Sequence, residues 1–546
     1  MQGNNVIAKI LKAEGVEFIS CFPANTLIDQ AAKEGIKPMI CRQERAGVNI
    51  ADGFSRINNG RKIGVFVMQH GPGAENAFGG VAQAFADSVP ILLLPGGAPS
   101  NKVGISPTFS ASEQYKGITK WSGHINNVSR IPELMRKAFS QLKNGKPGPV
   151  LLEIPTDIAE EEFPNDNFSY TPVKSLLSSA SVEDVKELVT AVLKAKNPII
   201  NAGQGVLYSE ATDELVEFSE LTNIPVMTTL AGKSAFPENH KLSLGTGAHT
   251  STAMAAEFLN QADFVLGIGT SFTSSNFNAP VPEGVTLGQV TNSYEDINKE
   301  YKIDFGAVGD ARLVLQQMNE EIRRQCGKSG REDASAIVTR IASIKKSWLE
   351  IWRSSLNSDE IPISPYRVFT ELSKIVDVSN TIITHDSGYP RDQLVPFWES
   401  VVPRSYIGWG KSTQLGYGLG LAIGAKIARP NMNVINVMGD AAFGMSGLDI
   451  ETASRLEIPI LTIVLNNGVM THYNEHMPFA TDKWSTNALG GDYAAVAKAL
   501  GAYSERVDKP ENISSAINNA LNANRNGKPA LLEIMTKEEL NVPKFW

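Results

Sequence analysis

Two short stretches toward the carboxyl end of the chain hold residue types that could bind a charged ligand. Gly439-Asp440-Ala441 is followed, after a gap, by Asn466-Asn467-Gly468. One carboxylate and one amide oxygen, with diphosphate oxygens and water completing an octahedron, is how proteins usually hold Mg²⁺. The apolar runs 434–438 and 460–465 read as consecutive buried strands, delivering Asp440 and the Asn pair to one sheet edge. Open α/β sheets bind ligands at such carboxyl ends. Gly439, Ala441, Ala442 and Gly444 are small enough to let backbone amides approach a phosphate. A helix expected from about residue 446 would aim its positive end at the same place. Taken singly, Asp440 is an ordinary helix cap and the Asn pair an ordinary turn. The strand–loop–helix–strand context joins them into a candidate metal–diphosphate loop.

The elements that must position this loop recur along the chain. Apolar runs at 63–68, 91–94, 150–154, 198–201, 264–267, 381–384 and 530–534 also read as buried strands. The segments between them carry helical periodicity, as at 182–193 and 446–456. Such alternation predicts an α/β fold with mainly parallel sheets covered by helices on both faces. The polar stretches 160–179 and 328–334 read as linkers, the second followed by a helical segment and a proline-rich start at 358–365. Boundaries near 175 and 350 give three doubly wound domains, 1–175, 176–350 and 351–546. Gly145-Lys146-Pro147 leads into Leu151-Leu152-Glu153-Ile154, and Gly527-Lys528-Pro529 into Leu531-Leu532-Glu533-Ile534. This echo predicts that the first and third domains share a fold and flank a different middle one.

The bulk properties exclude other classes. The 546 residues carry a net charge of −8 with no basic block of interleaved aromatics, so no nucleic-acid partner is expected. Cys21, Cys41 and Cys326, an odd count without CxxC spacing, suggest neither a disulfide framework nor a zinc site. The first residues lack a signal-peptide pattern, and no apolar run is long enough to span a bilayer. A cytoplasmic location and no membrane partner are the expectation.

The metal loop resembles the thiamine-diphosphate motif, and Gly439-Asp440-Ala441-Ala442-Phe443-Gly444-Met445-Ser446 resembles its acetolactate-synthase variant. The resemblance extends over nearly the whole chain. Gln69-His70-Gly71-Pro72-Gly73-Ala74-Glu75-Asn76, ending at Asp87-Ser88-Val89-Pro90, matches a first-domain signature of that family, and residues 411–425 match the loop before the metal motif. The resemblance implies thiamine diphosphate and Mg²⁺ as cofactors, with Asp440, the Asn467 side chain and the Val469 carbonyl as metal ligands. It places Gly439, Ala441, Ala442, Ser387 and Gly388 at the diphosphate. It makes the Thr413 carbonyl an acceptor for the cofactor's amino group, and Leu415 the bulky residue that bends its two rings into a V. Glu44, within Glu44-Arg45-Ala46-Gly47 and before Ala51-Asp52-Gly53, would touch the aminopyrimidine ring. A carboxyl hydrogen-bonded to that ring promotes the imino tautomer, which removes the thiazolium proton and turns the thiazolium into an electron sink. Glu44 and Asp440 would meet across a subunit interface, in a homodimer or homotetramer.

The implied reaction makes or breaks a carbon–carbon bond next to a carbonyl, as in decarboxylation or carboligation of a 2-oxo acid. The small-molecule substrate would be a 2-oxo acid, an aldehyde or an acyl-CoA. Residues 442–449 also resemble the oxalyl-CoA decarboxylase and 2-hydroxyacyl-CoA lyase branch, the enzymatic alternative. A non-catalytic cofactor binder is the alternative of another class, against which the retained Glu44 argues. His70, His472 and His476 are candidate substrate-facing residues. A structural hydrogen bond serves equally for His70, and a helix-surface position for His472 and His476. Lys411 and Arg404 could bind a carboxylate or phosphate, or be exposed surface charge. The tail 537–546 is a candidate cover for the site, or a frayed end.

The chain also departs from the family. Gly269-Thr270-Ser271-Phe272-Thr273-Ser274 stands where biosynthetic acetolactate synthases carry Arg-Phe-Asp-Asp-Arg and bind FAD, so FAD is not expected. Pro23-Ala24-Asn25 replaces Pro-Gly-Gly, with Pro23 toward the cofactor. Gly410-Lys411-Ser412-Thr413 lacks the first glycine of a P-loop, and Gly203-Gln204-Gly205 lacks the third glycine of a dinucleotide fingerprint.

Overall fold

The structure, a computed structural model, describes residues 1–164, 168–275, 277–327 and 335–546. The linker expected at 328–334 lies outside the described residues, as do 165–167 of the first linker. The described chain builds three six-stranded sheets in which every strand pairing is parallel. The first holds β1 (Phe18–Phe22), β2 (Lys37–Ile40), β3 (Gly64–Met68), β4 (Ile91–Gly97), β5 (Trp121–His124) and β6 (Val150–Pro155). The second holds β7 (Pro198–Ala202), β8 (Val226–Thr228), β9 (Ser243–Thr246), β10 (Phe264–Ile268), β11 (Thr286–Thr291) and β12 (Phe305–Val308). The third holds β13 (Thr381–His385), β14 (Tyr406–Ile407), β15 (Asn433–Gly439), β16 (Leu461–Asn466), β17 (Tyr503–Val507) and β18 (Ala530–Met535). Helices cover both faces, so central strands such as β3 and β10 are buried along their whole length.

Strand order runs β2-β1-β3-β4-β6-β5 in the first sheet and β14-β13-β15-β16-β18-β17 in the third, the same path through the sheet. The middle sheet runs β12-β11-β10-β7-β8-β9, a different order. The expected relation of the three units is therefore realised, and the sequence echo falls on β6 and β18, which hold matching places. In both outer sheets the topological switch lies where the path reverses, between β1 and β3 and between β13 and β15. Ligands of doubly wound sheets bind at such a point.

The first and third units meet through two helices at matching positions, Glu44–Ile57 after β2 and Tyr417–Ala428 after β14. Their backbones touch because glycines face the contact. A Cβ on Gly53 would stand 2.3 Å from the Leu421 carbonyl oxygen, and one on Gly424 2.1 Å from that of Ile50. Pattern reading missed the inner strands β1, β8 and β11 and all six edge strands, β2, β5, β9, β12, β14 and β17. The edge strands are short or partly exposed, so they lack a continuous apolar run. The helix expected from 446 instead begins at Asp440 and ends at Ser446. A 3₁₀ turn over Gly447–Asp449 then separates it from the helix Ile450–Arg455. The helix Ser335–Leu356 spans residue 350 and packs Trp348 and Trp352 onto Phe397 of the third unit. No helix among the described residues is long and apolar enough to cross a membrane.

Candidate functional site

Four adjacent strands of the third sheet, β14, β13, β15 and β16, lead into one cleft of about 930 Å³ that opens to solvent. Ser387 and Gly388 follow β13, and Thr413 and Leu415 follow β14. Gly439 ends β15, with Asp440, Ala441 and Ala442 directly after it, and Asn467 and Val469 follow β16. All of them line this cleft. Leu415 is half-buried and packs against the main core.

Asp440 is buried in the wall of this cleft. Its Oδ1 accepts the Ala441 N–H at 2.8 Å and its Oδ2 the Gly468 N–H at 2.9 Å. Burial nonetheless pushes its pKa up, and no cationic side chain figures among the groups that offset this. A desolvated carboxylate without a counter-charge is unfavourable unless a cation joins it. The two asparagines divide their work as alternate residues at a strand end must. Asn466 turns inward and donates from Nδ2 to Glu533 at 2.7 Å. Asn467 faces the cleft, its Oδ1 accepting the Val469 N–H at 3.1 Å and its Nδ2 donating to Thr471 at 2.7 Å. Gly468 makes the turn between Asn467 and Val469 with φ +71°. One carboxylate, one amide oxygen and one backbone carbonyl at a common cleft fit Mg²⁺ completed by a diphosphate. Glu533, which fixes Asn466, was overlooked in the sequence, although it stands in the quoted echo.

Pro23, Glu44 and His70 follow β1, β2 and β3, three adjacent strands of the first sheet. The fold thus collects them at the edge that matches the Asp440 edge of the third sheet. It does not bring them to the Asp440 cleft of the same chain. Glu44 opens its helix and is buried, yet its carboxylate takes no hydrogen bond from a described residue. Its neighbours are tied to the far end of the Asp440–Ser446 helix. Gln43 and Arg45 donate to the Met445 carbonyl at 2.9 and 3.0 Å, and the Arg42 N–H donates to Asp449 at 2.8 Å. A seven-residue helix is roughly 10 Å long, which keeps Glu44 from Asp440 within one chain. His70 Nδ1 is buried without a partner among the described residues. Asn25 is structural: its Nδ2 donates to the Met68 carbonyl at 3.0 Å and its Oδ1 accepts the Leu27 N–H at 3.0 Å.

His472 sits between Thr471 and Tyr473, which line the cleft, in a left-handed conformation with φ +73°. Its Nε2 lies 3.2 Å from Glu475, and its N–H donates to Glu538 at 3.0 Å. His476 is exposed. Lys537 lines the cleft and the tail beyond it is docked, with Trp546 Nε1 donating to the Ala248 carbonyl at 3.1 Å. Arg404 and Lys411 are neither exposed charges nor part of this cleft. Arg404 is buried over the Tyr208 ring, and Lys411 donates to Ser271 at 2.9 Å. Lys411 and Ser271 line a second cleft, of about 1130 Å³, whose wall includes Gly203, Gly205 and Gly269 beside β7 and β10.

The three units are joined by one buried cation that the sequence did not single out. Arg56 pairs with Asp52 at 2.9 Å and Asp87 at 3.3 Å. It also donates to Gln204 of the middle unit, and to the Gly408 carbonyl and Tyr417 of the third. Its i−4 spacing from Asp52 on one helix was the available signal.

Comparison with known proteins agrees with this geometry. Residues 1–121 match the family description "Thiamine pyrophosphate enzyme, N-terminal TPP binding domain", 185–318 the central domain and 386–534 the "C-terminal TPP binding domain". The chain is 30% identical to a "Probable acetolactate synthase large subunit" of Methanococcus aeolicus, over 98% of this chain and 92% of that protein. It is 29% identical to the protein of the same name in Methanocaldococcus jannaschii, with the same coverage. With the "Acetolactate synthase isozyme 3 large subunit" of Escherichia coli it shares 26% identity, over 98% of this chain and 94% of that one. The chain belongs to the thiamine-pyrophosphate-dependent enzymes, in the family of the acetolactate synthase large subunits.

Proposed function

We propose that the protein is a Mg²⁺-dependent member of this family that decarboxylates a 2-oxo acid and ligates the resulting fragment to a second carbonyl compound. The observation that carries the reading is Asp440, a buried carboxylate with no cationic partner among the described residues, facing one cleft together with Asn467 and Val469. In this reading Asp440, Asn467 and the Val469 carbonyl hold Mg²⁺, while Gly439, Ala441, Ala442, Ser387 and Gly388 approach the diphosphate. The Thr413 carbonyl accepts the aminopyrimidine's amino group, and Leu415 fills the space beneath the two rings. When bound, thiamine diphosphate supplies a thiazolium electron sink for bonds next to a carbonyl. Glu44 of a second copy hydrogen-bonds the pyrimidine nitrogen and holds the proton there. His70 from that copy and His472 from this one face the reacting carbonyl. Pro23 borders the pyrimidine.

Mass analysis of acid-quenched cofactor, after the Mg²⁺-loaded enzyme is mixed with pyruvate, tests the substrate class. A two-carbon adduct on thiamine diphosphate is expected. An unmodified cofactor with pyruvate, beside a one-carbon adduct when formyl-CoA replaces it, would move the donor to the acyl-CoA class.

A further inference from the structure

Residues 408–418 leave β14, pass the cofactor cleft and enter the helix Tyr417–Ala428. Only the middle of this strap, Thr413 and Leu415, lines the cleft. Both of its ends are held by buried carboxylates. At the entry, Asp87 of the first unit accepts the Gly410 N–H at 2.8 Å and the Lys411 N–H at 3.1 Å. At the exit, Asp386 accepts the Gly416 N–H on Oδ1 at 2.9 Å and the Gly418 N–H on Oδ2 at 2.7 Å. The same Oδ1 also accepts the Ser387 N–H at 2.7 Å. Ser387 and Gly388 form another wall of the cleft, so one side chain ties two of its walls together.

Asp386 is fully buried. Keeping a charge there costs desolvation, and the three amides offset it. An asparagine with its oxygen in the Oδ1 place would keep the Gly416 and Ser387 bonds, but its NH₂ would confront the Gly418 N–H, donor against donor, and force the strap away from the second wall. The strap is shaped to meet this carboxylate. Gly416 has φ +82°, and a Cβ on it would lie 2.8 Å from the Met445 Cβ. A Cβ on Gly418 would lie 2.4 Å from Asn436 Oδ1, while the Gly418 carbonyl accepts from Thr384 at 3.3 Å.

We infer that Asp386 is a positioning residue that sets Thr413 and Leu415 against Ser387 and Gly388, so that the cleft is preformed for the cofactor's rings and diphosphate. This rests on the functional reading above. The test uses the full-length protein with thiamine diphosphate and Mg²⁺. Asp386→Asn should weaken cofactor affinity by roughly tenfold to a hundredfold in calorimetry, as expected for lost hydrogen bonds to a charged group. At saturating cofactor it should also slow exchange of the thiazolium C2 proton, followed by NMR. A merely structural role would lower the melting temperature and leave affinity and exchange of the folded fraction at wild-type values. That result overturns the inference. Should Asp386→Asn fail to fold, amide hydrogen exchange of the wild type decides. Protection of the Ser387, Gly416 and Gly418 amides before cofactor is added supports a preformed clamp, and loop-like exchange there overturns it. If the wild type binds no thiamine diphosphate, the functional reading fails instead, and the amide exchange still tests the clamp.

Discussion

The first and third units fold along the same path and place the candidate site residues at the same sheet edge, yet the two edges are chemically opposite. The third unit's edge is rich in small residues and backbone amides around one carboxylate, Asp440, which two amides hold in place. The first unit's edge presents Glu44, buried and without a hydrogen-bond donor among the described residues, and His70, with one buried ring nitrogen unpartnered among them. The shared strand path therefore provides one edge whose carboxylate and asparagines are held by hydrogen bonds and another with buried polar groups unpaired among the described residues. The matching strands β6 and β18 show the same divergence. Glu153 accepts the Ala111 and Ser112 N–H groups at 3.1 and 3.0 Å and serves its own unit's packing. Glu533 accepts the Ala494 N–H at 2.9 Å and also holds Asn466, next to the cleft-facing Asn467.

The comparison can be broken at its strongest point first. Asp440→Ala should abolish measurable thiamine-diphosphate binding in calorimetry with Mg²⁺, and retained affinity would remove the metal from this edge. Glu44→Gln should keep the affinity and slow C2-proton exchange by roughly 10²–10⁴-fold, the range of a lost general acid–base. An unchanged exchange rate would sink the assignment.

The two glutamates give the next contrast. Burial works to raise the Glu153 pKa, but hydrogen bonds from His124, Ser112 and Ala111 hold it down at about 2. Its stabilisation is therefore complete above the ordinary value of 4.5 and is lost as pH falls toward 2, a contribution of about 3 kcal/mol. Glu153→Gln should cost about that much in denaturant melts at pH 7 and leave cofactor affinity in place. Glu533→Gln should weaken the affinity as well. Equal behaviour of the two variants would erase the distinction between these strands.

Gly424→Ala forces a Cβ into the helix contact that joins the two units and should cost about 1–3 kcal/mol of stability. The last effect is electrostatic and shows only in acid. Burial keeps His385, at the end of β13, neutral down to about pH 3. The unfolded chain takes up that proton below about 6.5, so this group removes stability as pH falls, by about 1.4 kcal/mol per pH unit. His385→Gln should flatten the acid side of the stability curve between those values, and an unchanged slope would contradict a buried neutral imidazole.

The architecture was legible where the chain is buried on both sides. Strands such as β4 and β10 carry continuous apolar runs, and the repeated Leu-Leu-Glu-Ile announced the kinship of β6 and β18. Edge strands gave no such signal. Neither did the real start of the helix at Asp440, where Gly439 and two alanines carry no helical periodicity. Types and spacing were enough to bring Asp440 and Asn467 to one cleft, because strand ends place them whatever the rest does. Asp386 and Arg56 stayed silent, and Asp87 stood out only as part of a family signature, because their partners are mainly backbone amides or residues far away in the chain. Only the folded chain brings those together.

The account stands or falls on whether the two unlike edges complete each other between two copies of the chain. The direct measurement is C2-proton exchange of bound thiamine diphosphate in a mixed oligomer, made by co-expressing the Glu44→Gln and Asp440→Ala proteins under different tags. A fast-exchanging fraction absent from either parent is predicted, since one site then combines an intact Glu44 with an intact Asp440. Exchange no faster than in the parents would contradict the account and require Glu44 to serve the Asp440 of its own chain, or neither.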